Sequence, residues 1–302
     1  MKNYTSSIFH GLKGKKIIIA GCNGYIGSAL CYQLELNNIS YIGIDKTKTN
    51  RNSISFNLIE YEKIKKIIKE EDPDIFFHTA THSALAYKNE FLSSFKEDNI
   101  ALFNILSSLK LNKNKARLIY FSSSYVYSGH KKTDIVNEET ILKPTHNFGL
   151  AKHFFEQLIY REYKNSNVFR LSSVFGQGEY LHPNAIEVMT KEAINNRLVT
   201  VWGSGDRKMQ YIFLEDVVKC LFLADTFKTG LFNLCGNNYV SVKETASFIA
   251  KFFEINVEFL DDKVEGETLP QMANNKVSSE SKLNLFSDHS DSLTNYLKTI
   301  KK

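Results

Sequence analysis

The amino-acid sequence predicts an α/β protein built on a doubly wound parallel sheet, with helices covering both faces. Three observations carry this prediction. Short, unbroken apolar runs recur along the chain, as expected of strands that are buried on both faces. Amphipathic stretches with helical spacing separate these runs, and such alternation is typical of parallel sheets. At 302 residues, the chain is long enough for a large main domain and a smaller second one.

The first strand–helix–strand unit occupies residues 16–45. It combines an apolar strand over 17–20, a helix over 25–36 and a second strand over 41–44, with glycines at Gly21, Gly24 and Gly27. In this setting Gly21 allows a tight turn, Gly24 lets backbone N–H groups approach a pyrophosphate, and Gly27 lets the helix pack closely on the sheet. The positive end of the helix then faces the phosphates. The unit predicts a Rossmann-type dinucleotide site.

An acidic residue follows the second strand at the position that contacts the cofactor ribose in such units. Asp45 lies 18 residues beyond Gly27, where a carboxylate accepts hydrogen bonds from a ribose diol and repels a 2′-phosphate. This favours NAD. Lys46, Lys48 and Arg51 weaken the preference because they are able to bind a phosphate, so NADP stays open.

The remaining elements follow the same alternation. We predict strands over 53–58, 75–78, 117–121, 168–171, 199–202, 210–214 and 231–234, and helices over 59–69, 91–111, 148–163, 184–195, 215–227, 242–253 and 293–300. Residues 1–14 are expected to be a lead-in on the surface, and residues 173–183 a glycine-bearing loop. Thr79, Ala80 and Thr81 follow a buried strand, and their small side chains leave room for a ligand.

Two domains are therefore expected. An NAD-binding Rossmann domain covers residues 1–171. A smaller mixed α/β C-terminal lobe, which binds substrate, covers residues 172–302 and returns some strands and helices to the first domain.

Composition excludes several classes of protein. The net charge of +5 is spread over single lysines without a basic block, so we expect no nucleic-acid partner. No apolar run approaches the roughly 20 residues that span a bilayer, and no signal peptide is visible, so we expect a cytoplasmic protein without membrane contact. The four cysteines have neither metal nor disulfide spacing and are expected to be reduced packing residues, with no metal site. They are Cys22, Cys31, Cys220 and Cys235.

From residue 16 to about residue 285, the chain resembles the extended short-chain dehydrogenases/reductases, specifically their nucleotide-sugar epimerase/dehydratase branch. The resemblance rests on an ordered set of motifs: Gly21 to Gly27, Asp45, Asn57-Leu58, 73–80, Asn99, Ser122-Ser123 before Val126-Tyr127, Lys152, Arg170 with Val174-Phe175-Gly176, Gly203-x-Gly205 and Phe232-Asn233-Leu234. It implies that the cofactor contacts come from Gly21, Gly24, Tyr25, Ile26, Gly27, Asp45, Asn57, Leu58, Thr79, Ala80, Thr81, Asn99 and Lys152.

The resemblance also implies a reaction. In the family, nicotinamide takes a hydride from a sugar carbon while a tyrosine removes the hydroxyl proton. A lysine four residues later binds the nicotinamide ribose and lowers the tyrosine pKa, and a serine or threonine hydrogen-bonds the reacting oxygen. Ser123 matches the serine and Lys152 the lysine, but Phe148 stands at the tyrosine position. Phenylalanine has no proton to give or take.

Three explanations for Phe148 stay open. It is an engineered Tyr→Phe change, or a natural divergence in which another group does the acid–base work, or the mark of a relative that only binds ligands. For the divergence, Ser124, Tyr125 and His146 are close enough in sequence to be candidates. Losing a positioned general acid or base lowers a rate by about 10²–10⁴-fold, so we expect a slow or inactive enzyme.

Other departures from the family limit which reaction is expected and which residues are expected to bind the substrate. Family members that eliminate water carry Asp-Glu where this chain has Ser124-Tyr125, which favours epimerisation or reduction of a 4-keto sugar. The arginine that usually clamps the nucleotide diphosphate is replaced by Met209, so either Arg207 or Lys208 serves instead, or both are solvated turn residues. Trp202 either stacks near the base or, as the more favoured alternative, belongs to the core. The substrate candidates are Ser124, Tyr125, Ser173, Asn184, Trp202, Arg207 and Gln210.

Taken together, the resemblance implies an NAD-dependent nucleotide-sugar oxidoreductase or isomerase, most simply a C4 epimerase or a 4-ketoreductase. A homodimer formed through the helices over 91–111 and 148–163 is the expected assembly. Two alternatives stay open: a catalytically inactive protein that binds NAD and a nucleotide sugar, and a reductase of a non-sugar substrate such as a lipid or terpenoid. The nucleotide and the sugar are not identified.

Overall fold

The structure is a computed structural model that describes residues 8–47, 52–113, 115–178 and 183–301. Its strands are β1 Ile17–Ala20, β2 Ile42–Asp45, β3 Ser53–Ser55, β4 Ile75–His78, β5 Arg117–Ser123, β6 Ile135–Val136, β7 Ser166–Leu171, β8 Ser173–Phe175, β9 Leu198–Trp202, β10 Lys208–Phe213, β11 Gly230–Leu234, β12 Tyr239–Ser241, β13 Asn256–Leu260 and β14 Gln271–Met272. Its α-helices are α1 Tyr25–Leu36, α2 Tyr61–Glu71, α3 Ala84–Asn89, α4 Phe91–Leu111, α5 Asn147–Glu162, α6 Ala185–Asn196, α7 Leu214–Leu223, α8 Val242–Phe253, α9 Asn275–Ser281 and α10 His289–Ile300.

A central parallel sheet organises the described residues. Its seven strands lie in the order β11-β7-β5-β4-β1-β2-β3, and every neighbouring pair is parallel. The chain proceeds outward from β1 to β3 and then returns to place β4 on the other side of β1. A crevice therefore opens at the carboxyl ends of β1 and β4, where ligands bind in folds of this type. The predicted Rossmann-type doubly wound sheet is confirmed.

Apolar side chains cover both faces of this sheet. Alternate residues of β1 point to opposite sides, so Ile17 and Ile19 join one apolar cluster while Ile18 and Ala20 join another. Leu12, in a short 3-10 turn before β1, is fully buried in the first cluster. The expected surface lead-in is therefore wrong for Leu12, and residues 1–7 lie outside the described part of the chain.

The C-terminal part builds a third apolar cluster around Phe175, Met189 and Ile249. Strands β8, β10 and β12 form a small sheet beside it, and β9 pairs with β13. β11 instead joins the edge of the central sheet next to β7. The predicted loop over 173–183 is wrong at its start because β8 pairs with β10, while residues 179–182 lie outside the described part.

The sequence missed several short elements, namely α3, β6, β12, β13, β14 and α9. The helix predicted over 215–227 ends at Leu223 and continues as a 3-10 turn, Ala224–Thr226, and the strand predicted over 53–58 ends at Ser55. Among the helices described, none is both long enough and apolar enough to cross a membrane.

Candidate functional site

The glycine turn after β1 closes against the end of β4. Gly21 has φ +86°, and a Cβ there would lie 2.6 Å from Ala80 N, so only glycine fits. A Cβ on Gly27 would lie 2.0 Å from Gly21 O, which brings α1 directly onto the turn. Thr79 Oγ1 donates to Ala20 O at 2.8 Å and thereby joins the two strand ends. This geometry agrees with the roles predicted for Gly21 and Gly27.

Gly24 lies at the start of α1 and differs from the other two glycines. Its backbone (φ −74°, ψ 169°) is extended, and a Cβ would meet Gly21 O at 3.2 Å. Gly24 offers no side chain to cap the helix. The first-turn N–H groups, to which Tyr25 and Ile26 belong, are therefore the kind of donor set that accepts an anion.

Asp45 closes the same region from the end of β2. Its carboxylate accepts hydrogen bonds from Asn23 N at 3.1 Å and from Thr47 N at 3.3 Å. Lys46 Nζ lies 3.4 Å from Glu97 Oε2, so a carboxylate already faces that cation. Lys48 and Arg51, the other cations expected near Asp45, lie outside the described residues.

Three further cofactor candidates lie on or near α4. Asn57 Oδ1 accepts from Ile59 N, and Leu58 O accepts from Asn104 Nδ2 at 3.0 Å. Asn99 is half-buried on α4.

Lys152 on α5 bonds to β5 and to the segment after β4. Its Nζ donates to Thr81 Oγ1 at 3.1 Å, to Tyr120 OH at 3.3 Å and to Phe121 O at 2.8 Å. Only 2% of Lys152 is exposed, and this burial lowers its pKa to about 8, although the carboxylates of Asp98 and Glu156 act in the opposite direction. The ammonium thus has an acceptor for each of its protons.

Phe148 lies one helical turn before Lys152, in the first turn of α5. Its ring centroid lies 5.4 Å from Lys152 Nζ, 5.4 Å from the Tyr87 ring and 6.0 Å from the Tyr125 ring. His146 caps the helix, and its Nδ1 accepts from Phe148 N at 3.1 Å. The position that would carry a phenol is therefore filled by an aromatic ring without a hydroxyl.

The 3-10 turn Ser124–Tyr127 packs closely on the start of α5. A Cβ on Gly149 would lie 2.1 Å from Tyr125 O, so glycine permits this approach. Ser123 Oγ accepts from Tyr125 N at 3.3 Å. The structure therefore brings the predicted residues Ser123, Ser124, Tyr125, Phe148 and Lys152 together at the carboxyl end of β5.

A buried acidic cluster beside Phe148 was not predicted from the sequence. Asp98 accepts from His82 N at 3.1 Å, from Tyr87 OH at 2.9 Å, and lies 2.7 Å from His82 Nδ1. The bond to Asp98 raises the pKa of His82. Burial would raise the pKa of Asp98, but the hydrogen bonds from His82 and Tyr87 and the positive charge of Lys152 hold it below the ordinary value. The acidic neighbour of Asn99 and the histidine after Thr81 were the available signals.

His78 lies at the end of β4 and is fully buried. Its ring centroid is 5.6 Å from that of Tyr120. Burial and the nearby Lys152 charge lower the pKa of His78 to about 4, so it is neutral at neutral pH.

The other substrate candidates lie on later elements, and three have side chains engaged within the protein. Gln210 bonds to Gly236 O and to both backbone polar atoms of Met272, and Asn184 caps α6 and donates to Val174 O. Arg207 Nε donates to Glu267 O at 2.9 Å. Trp202 is 57% exposed, so the favoured core interpretation is wrong. Ser173 is half-buried on β8.

The cysteines are buried free thiols, as expected. Within the described ranges, no group of three or more His, Cys, Asp or Glu side chains is arranged to hold a metal ion.

The sequence matches the model of one protein family and is similar to several known proteins. The model of the NAD dependent epimerase/dehydratase family matches residues 17–235. The dTDP-D-glucose 4,6-dehydratase of Dictyostelium discoideum is 25% identical over 239 residues, which cover 68% of this chain and 54% of that protein. The methionine adenosyltransferase 2 subunit beta of Rattus norvegicus is 25% identical over 277 residues, which cover 87% of this chain and 80% of that protein.

Solved structures show the same fold. UDP-glucose 4-epimerase of Thermotoga maritima with UDP-glucose superposes with a TM-score of 0.85 at 20% identity, covering 95% of this chain and 98% of that one. The dTDP-glucose 4,6-dehydratase of Bacillus anthracis in complex with NAD superposes with a TM-score of 0.83 at 18% identity, covering 95% and 97%.

Proposed function

Because the chain belongs to the NAD-dependent epimerase/dehydratase family, we propose that it binds NAD and a nucleotide-diphosphate sugar and performs reversible oxidation–reduction at a sugar carbon. A C4 epimerase or a 4-ketoreductase is the activity that the site supports best. One observation carries this proposal: Lys152 donates to β5 beside the Phe148 ring, and that ring packs against Tyr125, which follows Ser123 at the end of the same strand.

The residues present fit NAD. The Gly21–Gly27 turn leaves backbone space that a Cβ would fill, and α1 directs its N-terminus toward the crevice. We propose that this turn binds the pyrophosphate, that Asp45 binds the adenosine ribose, and that Thr79, Ala80, Thr81 and Lys152 line the nicotinamide side. When bound, NAD supplies a hydride acceptor and donor for the sugar carbon.

Two observations support a nucleotide sugar and argue against dehydration. The similar structures named above include a UDP-glucose 4-epimerase with UDP-glucose and a dTDP-glucose dehydratase with NAD. Ser124 and Tyr125 stand where dehydratases carry their Asp-Glu pair, so the groups that eliminate water are missing. We propose that the lobe after residue 171 binds the nucleotide sugar, with candidates including Ser173, Trp202 and Arg207.

Phe148→Tyr is the direct test of this proposal. The wild-type chain and the variant are each given NAD and a panel of UDP, GDP, CDP and dTDP sugars, and both nicotinamide absorbance and sugar stereochemistry are followed. If no other group carries the proton, we expect tyrosine to raise turnover by about 10²-fold or more, because it adds a positioned general acid–base group. Phe154→Tyr is the matched control, since it adds a phenol to the exposed part of the same helix. Equal activity of wild type and Phe148→Tyr would show that residue 148 does not limit the reaction.

A catalytically inactive binding protein is the second candidate. Phe148 has no exchangeable proton, and all three protons of the Lys152 ammonium are bonded within the protein. The rat relative named above is, by its name, a subunit of another enzyme. If the chain is such a protein, wild type and Phe148→Tyr both bind NAD and nucleotide sugars without turnover. A reductase of a non-sugar substrate would instead oxidise NADH with ketones that lack a nucleotide.

We propose a homodimer formed through α4 and α5. Six large apolar side chains on these two adjacent helices are exposed, and an apolar patch on a protein surface often marks a contact with another chain. They are Leu92, Phe103, Leu111, Leu150, Phe154 and Tyr160, which are 47–79% exposed. The mass of the purified protein in solution tests this assembly. The division at residues 171 and 172 and the cytoplasmic location stay predictions.

A further inference from the structure

We infer that the Tyr125 hydroxyl exchanges the proton with the reacting oxygen of the substrate, in place of the hydroxyl that position 148 lacks. This inference rests on the proposed function and names the acid–base residue of the same site. It follows from the position of Tyr125, from the hydrogen bonds that hold Tyr87, Tyr120, Lys152 and His146 within the protein, and from the weaker acidity of Ser124.

Tyr125 is held at the reaction site from two sides. Its backbone N–H donates to Ser123 Oγ at 3.3 Å, and its carbonyl lies against Gly149 of α5. Its ring meets the Phe148 ring edge-on, with centroids 6.0 Å apart, and the His146 ring at 4.5 Å. The side chain is half-buried, and no hydrogen bond of its hydroxyl to another described residue is seen. A phenol therefore lies beside the position from which one is missing.

The two other tyrosines near Phe148 are engaged inside the protein. Tyr87 OH donates to Asp98 at 2.9 Å, and burial with the Asp98 charge raises the pKa of Tyr87 well above its ordinary value. Tyr120 OH accepts from Lys152 at 3.3 Å, and burial raises the pKa of Tyr120 as well. Both phenols thus stay protonated and buried, so neither removes a proton from a substrate.

The nitrogen groups are also unsuited to the step. Lys152 donates its three protons to Thr81, Tyr120 and Phe121 and has none left for a ligand. His146 accepts from Phe148 N through Nδ1, so its neutral ring carries the proton on Nε2 and has no second lone pair to act as a base. Burial lowers the pKa of His146 and so favours this neutral form.

Ser124 is the last candidate, and its hydroxyl is a weaker acid than the Tyr125 phenol. An alkyl hydroxyl is a much weaker acid than a phenol, which ionises near pH 10 in model peptides. A phenol is therefore closer to the range in which acid–base catalysis is efficient.

The proposed step balances in both directions. In oxidation, the substrate O–H proton passes to the Tyr125 phenolate, and the C–H bond breaks with its electron pair leaving as hydride to oxidised NAD. The products are a ketone, a neutral phenol and reduced NAD. In reduction, the phenol returns the proton to the ketone oxygen as the hydride returns to carbon.

Four chains test the inference: wild type, Tyr125→Phe, Phe148→Tyr and the double variant. If Tyr125 carries the proton, Tyr125→Phe lowers turnover by about 10²-fold or more in the wild-type background but by less than about tenfold in the Phe148→Tyr background. Tyr32→Phe on α1 is the control, because Tyr32 is 45% exposed and lies two helical turns beyond the start of that helix, away from the glycine turn. Equal losses in both backgrounds, or no loss in the wild-type background, overturn the inference. Turnover by Phe148→Tyr with none by wild type also overturns it.

A second readout does not depend on turnover. In a protein with tyrosines labelled with carbon-13 at Cζ, the Tyr125 signal is assigned as the one missing from Tyr125→Phe. Adding NAD and the nucleotide sugar is expected to shift this signal, because the hydroxyl then contacts the substrate. If calorimetry shows binding and the signal stays in place, the inference fails while the proposed function stands. If neither ligand binds, the proposed function fails and the inference with it.

Discussion

The glycine turn and the cluster around Phe148 lie at the same edge of the sheet but are built differently. At the turn, the decisive contacts are between backbone atoms: Gly21 against Ala80, and Gly27 against Gly21 O. Around Phe148, they are between side chains from separate elements, with Lys152 on α5 meeting Thr81 after β4 and Tyr120 on β5. The first region keeps the whole family pattern, whereas the second has lost the one hydroxyl that the family chemistry uses.

We infer from this contrast that cofactor binding and proton transfer depend on structurally separate parts of the site. A backbone turn tolerates little change, because any Cβ at Gly21 or Gly27 collides with the main chain. A side-chain cluster tolerates the loss of a hydroxyl at Phe148 when the ring continues to pack on Tyr87 and Tyr125. Cofactor binding is therefore expected to persist whether or not the proton is transferred by residue 148.

The largest expected effect comes from Gly27→Ala. Its Cβ would lie 2.0 Å from Gly21 O, a backbone atom, so α1 must move; we expect a loss of about 3 kcal/mol in the free energy of unfolding and of NADH binding. Gly24→Ala is the matched control, because its Cβ would lie 3.2 Å from the same oxygen. We expect it to change stability by about 1 kcal/mol at most but to weaken NADH binding. Urea unfolding and NADH fluorescence measure both quantities.

Gly24→Ala tests cofactor binding more directly than Gly27→Ala, because it is expected to leave stability nearly unchanged. If this variant binds NADH as tightly as wild type, the pyrophosphate does not approach the turn. The glycine turn would then not be the part of the site that binds the cofactor.

A stability difference of similar size, but one that depends on pH, is expected between wild type and Lys152→Met. Because the folded-state pKa of Lys152 is lowered from 10.5 to about 8, only the unfolded chain binds this proton between those values. Wild-type stability therefore rises with pH across this window relative to Lys152→Met, by roughly 3 kcal/mol in all, and the gain is lost as pH falls back to about 8. Chemical denaturation of both proteins at several pH values measures this difference. A constant difference would mean that Lys152 is not desolvated.

The smallest effect is expected from His82→Gln. The folded-state pKa of His82 is raised above 6.5 by Asp98, so its stabilisation is fully present below 6.5 and is lost as pH rises through the folded-state value. We expect the variant to lose on the order of 1 kcal/mol at low pH and less at high pH. Glu97→Gln is the control, since Glu97 lies 3.7 Å from the same ring and is 41% exposed. If His82→Gln loses the same stability at low and high pH, the contribution of the His82–Asp98 pair does not depend on the protonation of His82.

Much of the site could be predicted because several of its residues are close together in the sequence, at spacings that a turn or a helix brings into contact. Gly21, Gly24 and Gly27 are three apart in a strand–turn–helix unit, and Lys152 follows Phe148 by one helical turn, so each pair meets through secondary structure alone. The Asp98 cluster could not be predicted in this way. It joins His82, Tyr87 and Asp98 across a loop and two helices, and the short helix α3 that carries Tyr87 was itself missed.

Local features of the sequence were enough to predict the parallel sheet, the glycine turn with Asp45 at its edge, and the absence of a hydroxyl at residue 148. These depend on apolar periodicity, on backbone freedom and on residue identity, all of which are local. The folded structure was needed to show that Lys152 donates to three acceptors, that Gln210 and Asn184 bond within the protein, and that Trp202 faces solvent. These depend on which side chains meet across distant segments, since hydrogen-bond satisfaction and burial belong to the packed molecule.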